Sequence, residues 1–173
     1  GEKWGKGSVG GSFRKRDVPP TLIASALAPA DARKRITNGL PAGREVKIVG
    51  MKRAADGMPD FEFAEKLMTA LHEQAEAGNI DFCQVTDEGG SAAAVAKSCL
   101  GDGVGFTFAD LGERDFVNSQ GDIFVSGRDT SAFDALGAEV YGRTTSDGIF
   151  TAGGDNASVS EMTAAYTSTF ERV

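Results

Sequence analysis

The chain is poor in the residues that most metal and nucleophilic chemistry draws on: 173 residues hold one His and two Cys. Zinc usually takes four nitrogen or sulfur ligands, or three and a water, so no zinc centre is expected. Cys83 and Cys99 lack a CxxC spacing and are too few for a disulfide scaffold. They suit either one bridge or two buried thiols acting as small hydrophobes. His72, beside Glu73 in a helical stretch, reads as a solvated or half-buried side chain rather than a general base. Carboxylates are plentiful but follow no calcium-loop spacing. Acidic pairs such as Asp110 with Asp115 are left free to meet in space. No run of about 18 apolar residues exists, which excludes a membrane-spanning helix and leaves a soluble or peripherally associated chain. Gly1 in place of Met fits Met removal, a cut leader, a tag scar or an excised fragment, and Gly5 breaks the myristoylation pattern.

What is present is a charge asymmetry hidden in the net value of −7. Residues 1–53 carry twelve Lys or Arg against four Asp or Glu, a net of +8; residues 54–173 carry six against twenty-one, a net of −15. Residues 1–18, GEKWGKGSVGGSFRKRDV, combine five Gly with a basic run and too few apolar side chains to bury, so an extended arm is expected. Pro19 and Pro20 close it, giving an arm over 1–20 and a single domain over 21–173.

Along that domain the patterning alternates. Thr21 caps apolar Leu22, Ile23, Ala26 and Leu27 at helical spacing, and a second short helix is expected from Pro29 to about Thr37. REVKIVGM (44–51) reads as a strand. A long amphipathic helix follows Pro59, with Phe63, Leu67, Met68, Leu71 and Ala75 on one face and Gly78 as its stop. NIDFCQVT is the next strand, so the strand, helix and strand suit a right-handed parallel crossover. A small-residue helix (89–101), strands at 104–110 and 122–127, and a helical turn or two at 130–136 come next. AEVYGRT and GIFTAG read as paired strands, and a last helix opens on the capping box Ser158-Val-Ser-Glu161. The fold class is therefore α/β or α+β, a mixed sheet covered by helices, with an extended basic N-terminal arm.

The most distinctive local pattern is a near-repeat, GDIFVSGRD (121–129) and DGIFTAGGD (147–155). TSDGIFTAGGD (145–155) resembles the second flavin-binding signature of pyridine-nucleotide-disulfide-type oxidoreductases, where a Gly-Asp carboxylate meets the ribityl chain. That resemblance implies a flavin and also an N-terminal strand leading into GxGxxG and a helix, which KIVGMKRAADG does not supply. No cofactor is expected, and both copies read as a strand leaving the sheet through a Gly-Asp turn.

Two sets of residues carry functional readings. Gly89, Gly90 and Ser91 begin a helix after a strand, where exposed amides and the helix dipole form a phosphate or carboxylate cradle; Asp87 and Glu88 oppose an anion, and Ser91 also reads as an N-cap. Lys3, Trp4, Lys6, Phe13, Arg14, Lys15 and Arg16 suit a polyanion or an acidic protein surface. Without a catalytic cluster, the first expectation is a non-catalytic accessory subunit held among other protein subunits of an assembly by residues 1–18. The alternatives are a phosphate- or nucleotide-binding domain or enzyme using the Gly89–Ser91 loop, and nucleic-acid binding by the arm.

Overall fold

In the computed structural model, which describes residues 3–13, 16–27, 29, 31–86, 88–117 and 119–168, the chain parts into two compact units, Gly1–Arg35 and Ile36–Val173. The sequence-based boundary lies at residue 20. In the first unit, β1 (Lys3–Phe13) and β2 (Arg16–Leu27) form an antiparallel ribbon, running in register from Phe13↔Arg16 to Lys3↔Leu27. The helix expected from Thr21 is therefore a strand. Thr21 and Ile23 are β-branched and pair with Val9 and Gly7, whereas so short an isolated helix does not cover its nucleation cost. The ladder slips between Val9 and Gly11 opposite Pro19 and Pro20, which have no amide to donate. The helix expected over 29–37 shrinks to a 3₁₀ turn, Ala32–Lys34, capped by the Asp31 carboxylate accepting from the Arg33 amide at 3.0 Å. Arg14, Lys15 and the side chains of Lys3, Trp4, Lys6, Phe13 and Arg16 lie outside the described residues.

The second unit holds β3 (Glu45–Val49), α1 (Phe61–Glu76), β4 (Ile80–Val85), α2 (Gly90–Leu100), β5 (Gly105–Phe108), β6 (Ile123–Gly127), β7 (Glu139–Thr145), β8 (Ile149–Ala152), β9 (Asp155–Ser158) and α3 (Val159–Thr167). Their strands form a mixed seven-stranded sheet in the order β4-β6-β3-β7-β5-β8-β9. β5 and β8 pair in parallel, and the other ladders are antiparallel. The β3–α1–β4 crossover is present, but β6 lies between its strands, antiparallel to both. Similarly, β7 and β8 do not pair: β5 separates them.

Alternation along the strands sorts the apolar side chains to two faces. Val46, Phe82, Phe106, Phe124 and Tyr141 join Val95 and Cys99 of α2, with Met162 of α3 against them. Val49, Ile80, Ile123 and Val125 join Phe63 and Leu67 of α1 and Phe133 of the 3₁₀ turn Ser131–Leu136. Phe82, Phe106 and Phe124 are wholly buried, each stabilising the fold by about 2–3 kcal/mol. α1 starts where the Asp60 carboxylate accepts from the Phe63 amide at 3.1 Å, and α3 carries the expected capping box between Ser158 and Glu161. Both cysteines are free; Cys99 is buried, which together with the Asp102 charge pushes its thiol up to about 12.

The near-repeat resolves into two different strands. β6 lies inside the sheet, and Gly127 is needed because a Cβ there would overlap the Asn79 carbonyl, while Asp129 accepts from the Ser131 amide at 2.9 Å in the following turn. β8 instead hairpins into β9 through Gly153 (φ +59°), and Asp155 belongs to the return strand, opposite Ala152.

Candidate functional site

The carboxyl ends of β3 and β4 point the same way, and α2 begins within a few residues of the second. A cleft of about 450 Å³ opens there, with Gly50 and Lys52 after β3, Ser91 at the start of α2, Asp115 from the connection to β6, and Glu139 and Tyr141 of β7 among its lining residues.

Two glycines in the left-handed region, Gly89 (φ +90°) and Gly90 (φ +75°), turn the chain into α2. A Cβ on Gly90 would overlap the Asp115 carbonyl and lie 2.6 Å from that of Val117, so no other residue fits. The N-cap of α2 is Gly89, and no side chain caps the helix. This corrects the reading of Ser91 as its own cap: the hydroxyl turns inward and donates to Asp115 Oδ1 at 2.9 Å.

Asp115 anchors a buried network. It is 5 % exposed, accepts from Tyr141 OH at 3.0 Å through Oδ1 and from the Gly112 amide at 2.9 Å through Oδ2, and lies 3.6 Å from Arg114 Nε. Tyr141 OH also lies 3.1 Å from Ser91 Oγ. Burial pushes the Asp115 carboxyl up, but the hydrogen bonds from Gly112, Ser91 and Tyr141, with the Arg114 charge, outweigh it and hold the group below its ordinary value. Tyr141 moves the other way: burial raises it first, against the Ser91 hydrogen bond, and the Asp115 charge adds to the rise. The carboxylate is thus ionised and occupied, and the phenol stays protonated. The pair ties the start of α2 to the connection before β6 and to β7.

The cleft carries charge of both signs. Lys52 Nζ sits 4.7 Å over the Phe63 ring, and Arg114 reaches Asp110 at 2.8 Å. Asp110 and Asp115 do come together, as counter-charges sharing that arginine. Asp122 is used internally, its Oδ1 accepting from the Met51 amide at 2.8 Å. Among the described residues, no three His, Cys, Asp or Glu side chains are placed to hold a metal, and no helix is long and apolar enough to cross a membrane. His72 is exposed on α1, and Glu88 is exposed before α2; Asp87 lies outside the described residues. Of the residues singled out from sequence, Ser91 lines the cleft, and Gly89 and Gly90 immediately precede it at the entry to α2. Asp115 and Tyr141, 24 and 50 residues beyond Ser91, carried no motif that could have flagged them.

No protein-family model and no curated protein matches the sequence. The fold does match solved structures. Thermotoga maritima PurL complexed with ADP superposes at a TM-score of 0.62 with 16% identity, over 83% of this chain and 29% of that one. PurLQS from the same organism matches at 0.61 and 17%, over 80% of this chain and 28% of that one. The hydrogenase maturation protein HypE in complex with ATP matches at 0.52 and 15%, over 82% and 56%. This chain therefore spans under a third of the PurL chains and a little over half of the HypE chain. At these identities the likeness shows a shared fold: a mixed sheet flanked by helices, the architecture found in part of each of those larger proteins.

Proposed function

We infer that residues 36–173 form a nucleotide-binding domain of synthase-like architecture, whose cleft at the start of α2 receives the phosphate groups of the ligand. The observation that carries this reading is the left-handed Gly89-Gly90 entry into a helix that no side chain caps. The first amides of a helix and its dipole favour an anion, and Lys52 supplies a point charge at the same cleft. Complexes with ADP and ATP among the structures of like fold support the nucleotide class. The buried Ser91–Asp115–Tyr141 network serves this role by fixing the helix start before the ligand arrives, which lowers the ordering cost of binding.

The test is thermal unfolding of the full chain with ADP, ATP, inorganic phosphate and adenosine. ADP at a hundred times its Kd adds about 2.7 kcal/mol to stability, several degrees in Tm. The shift weakens with salt and shrinks in Lys52→Ala, while adenosine gives a smaller one. Equal shifts for ADP and adenosine, or none with any phosphate ligand at millimolar concentration, overturn the reading. The accessory-subunit expectation attached to residues 1–18 draws no support from the fold likeness; deleting 1–18 and measuring association with native partners tests it separately.

A further inference from the structure

A second depression lies along α2, beyond the polar cleft. It encloses about 350 Å³ among Ala92, Ala93 and Ala96 of α2, Phe150 of β8, Ala157 of β9 and Met162 of α3. Three alanines leave a shallow floor where longer side chains would fill the space. The walls are apolar, and the adjoining connection leaves Phe116 62% and Val117 60% exposed. Exposed large apolar side chains beside an apolar depression mark an interaction site. A neighbouring hollow of about 600 Å³ shares Phe108, Leu111, Phe116 and Asp155 with it and adds Asp110 and Glu113 at the edge. Asp110, Glu113 and Asp155 are all exposed, and Arg114 pairs with the first. The rim is thus acidic, in a part of the chain whose net charge is −15.

We propose that this groove docks a polypeptide segment of a partner protein that carries an aromatic anchor flanked by Lys or Arg. The anchor fills the space over Ala93, covering Phe116, and the basic flanks meet Glu113 and Asp155. Charge selects the occupant: the exposed carboxylates of Glu113 and Asp155 at the rim favour basic flanks and steer their approach. An aromatic anchor in a desolvated pocket with charged rim contacts is the usual division between affinity and steering in protein interfaces. The inference does not depend on the nucleotide reading, because the two depressions have no lining residue in common.

The test is fluorescence anisotropy of a labelled synthetic peptide, Lys-Arg-Lys-Trp-Lys-Arg-Lys, titrated with the full chain. Saturable binding is expected. It weakens at least tenfold when Ala93→Arg, at a half-buried position, fills the groove, and several-fold when Glu113→Lys with Asp155→Lys reverses the exposed rim. A peptide with Ser in place of the Trp also loses at least tenfold. The proposal is overturned by no saturable binding, by equal affinity of the Ala93→Arg protein, or by equal affinity of the Ser-substituted peptide, which reduces the contact to charge alone. Circular dichroism of each variant identifies any that fails to fold, and the Glu113→Lys, Asp155→Lys pair, exposed at both positions, keeps the readout available.

Discussion

Asp115 and Phe116 are neighbours in one 3₁₀ turn, Glu113–Phe116, and their burial is the reverse of the ordinary preference: the carboxylate is 5% exposed and the phenyl ring 62%. The difference lies in what each finds. Asp115 turns toward the start of α2 and gains three donors, from Ser91, Tyr141 and Gly112, which offset the cost of burying its charge. Phe116 turns toward the alanine floor further along the same helix, where the fold supplies too few apolar neighbours to cover it. One short turn therefore separates a completed polar site from an uncovered apolar one, and burial here follows available partners instead of residue type.

The most severe way to break that comparison is Gly90→Ala. The added Cβ runs into the Asp115 and Val117 carbonyls at a backbone angle that L residues rarely adopt, so a loss of roughly 4 kcal/mol is expected in urea denaturation. Asp115→Ala comes next: it removes the carboxylate to which both buried hydroxyls donate, leaving Ser91 and Tyr141 each other and the main-chain carbonyl, and costs about 1–3 kcal/mol. The acid limb sharpens the same point. With its folded value held below the ordinary one, Asp115 contributes its stabilisation fully above about pH 4, the unfolded value, and loses it as pH falls through the folded value. Subtracting the Asp115→Asn curve from wild type below pH 4 should isolate that loss; parallel curves would show that the carboxylate is not stabilised. At the small end stands Phe116→Ser, expected to change stability by no more than about 0.5 kcal/mol, since a ring so exposed has little burial to lose.

Much of the fold was legible in the sequence, for reasons that also mark where legibility stops. Period and punctuation placed α1, α2 and α3 and the strands from β3 to β8 close to their observed bounds, because Phe63, Leu67 and Ala75 repeat at helical spacing and Val46 and Ile48 alternate. Periodicity assigns a side chain to a face but says nothing of which strand lies alongside, so the insertion of β6 into the crossover and of β5 between β7 and β8 was not readable. β9, Asp155-Asn-Ala-Ser158, has little intrinsic strand preference and exists because β8 offers it a ladder, Ile149↔Ser158 to Ala152↔Asp155. Gly127 closes the expected strand at 122–127 and is still in the ladder, but the reason for a glycine there, the Asn79 carbonyl that leaves no room for a Cβ, is a contact the sequence does not display. At the site, the Gly89–Ser91 entry announced itself through local chemistry. Its supports, Asp115 and Tyr141, are ordinary residues whose role is created by contact across the fold.

The most direct measurement is backbone amide NMR of the full chain titrated with ADP. The account predicts saturable, salt-sensitive shifts largest at Gly89, Gly90 and Ser91, with smaller ones at Tyr141 and little change at Ala93 or Ala157. Shifts that leave Gly89–Ser91 unmoved while ADP binds elsewhere, or no saturable shift at all, would contradict the claim that the start of α2 is a phosphate site.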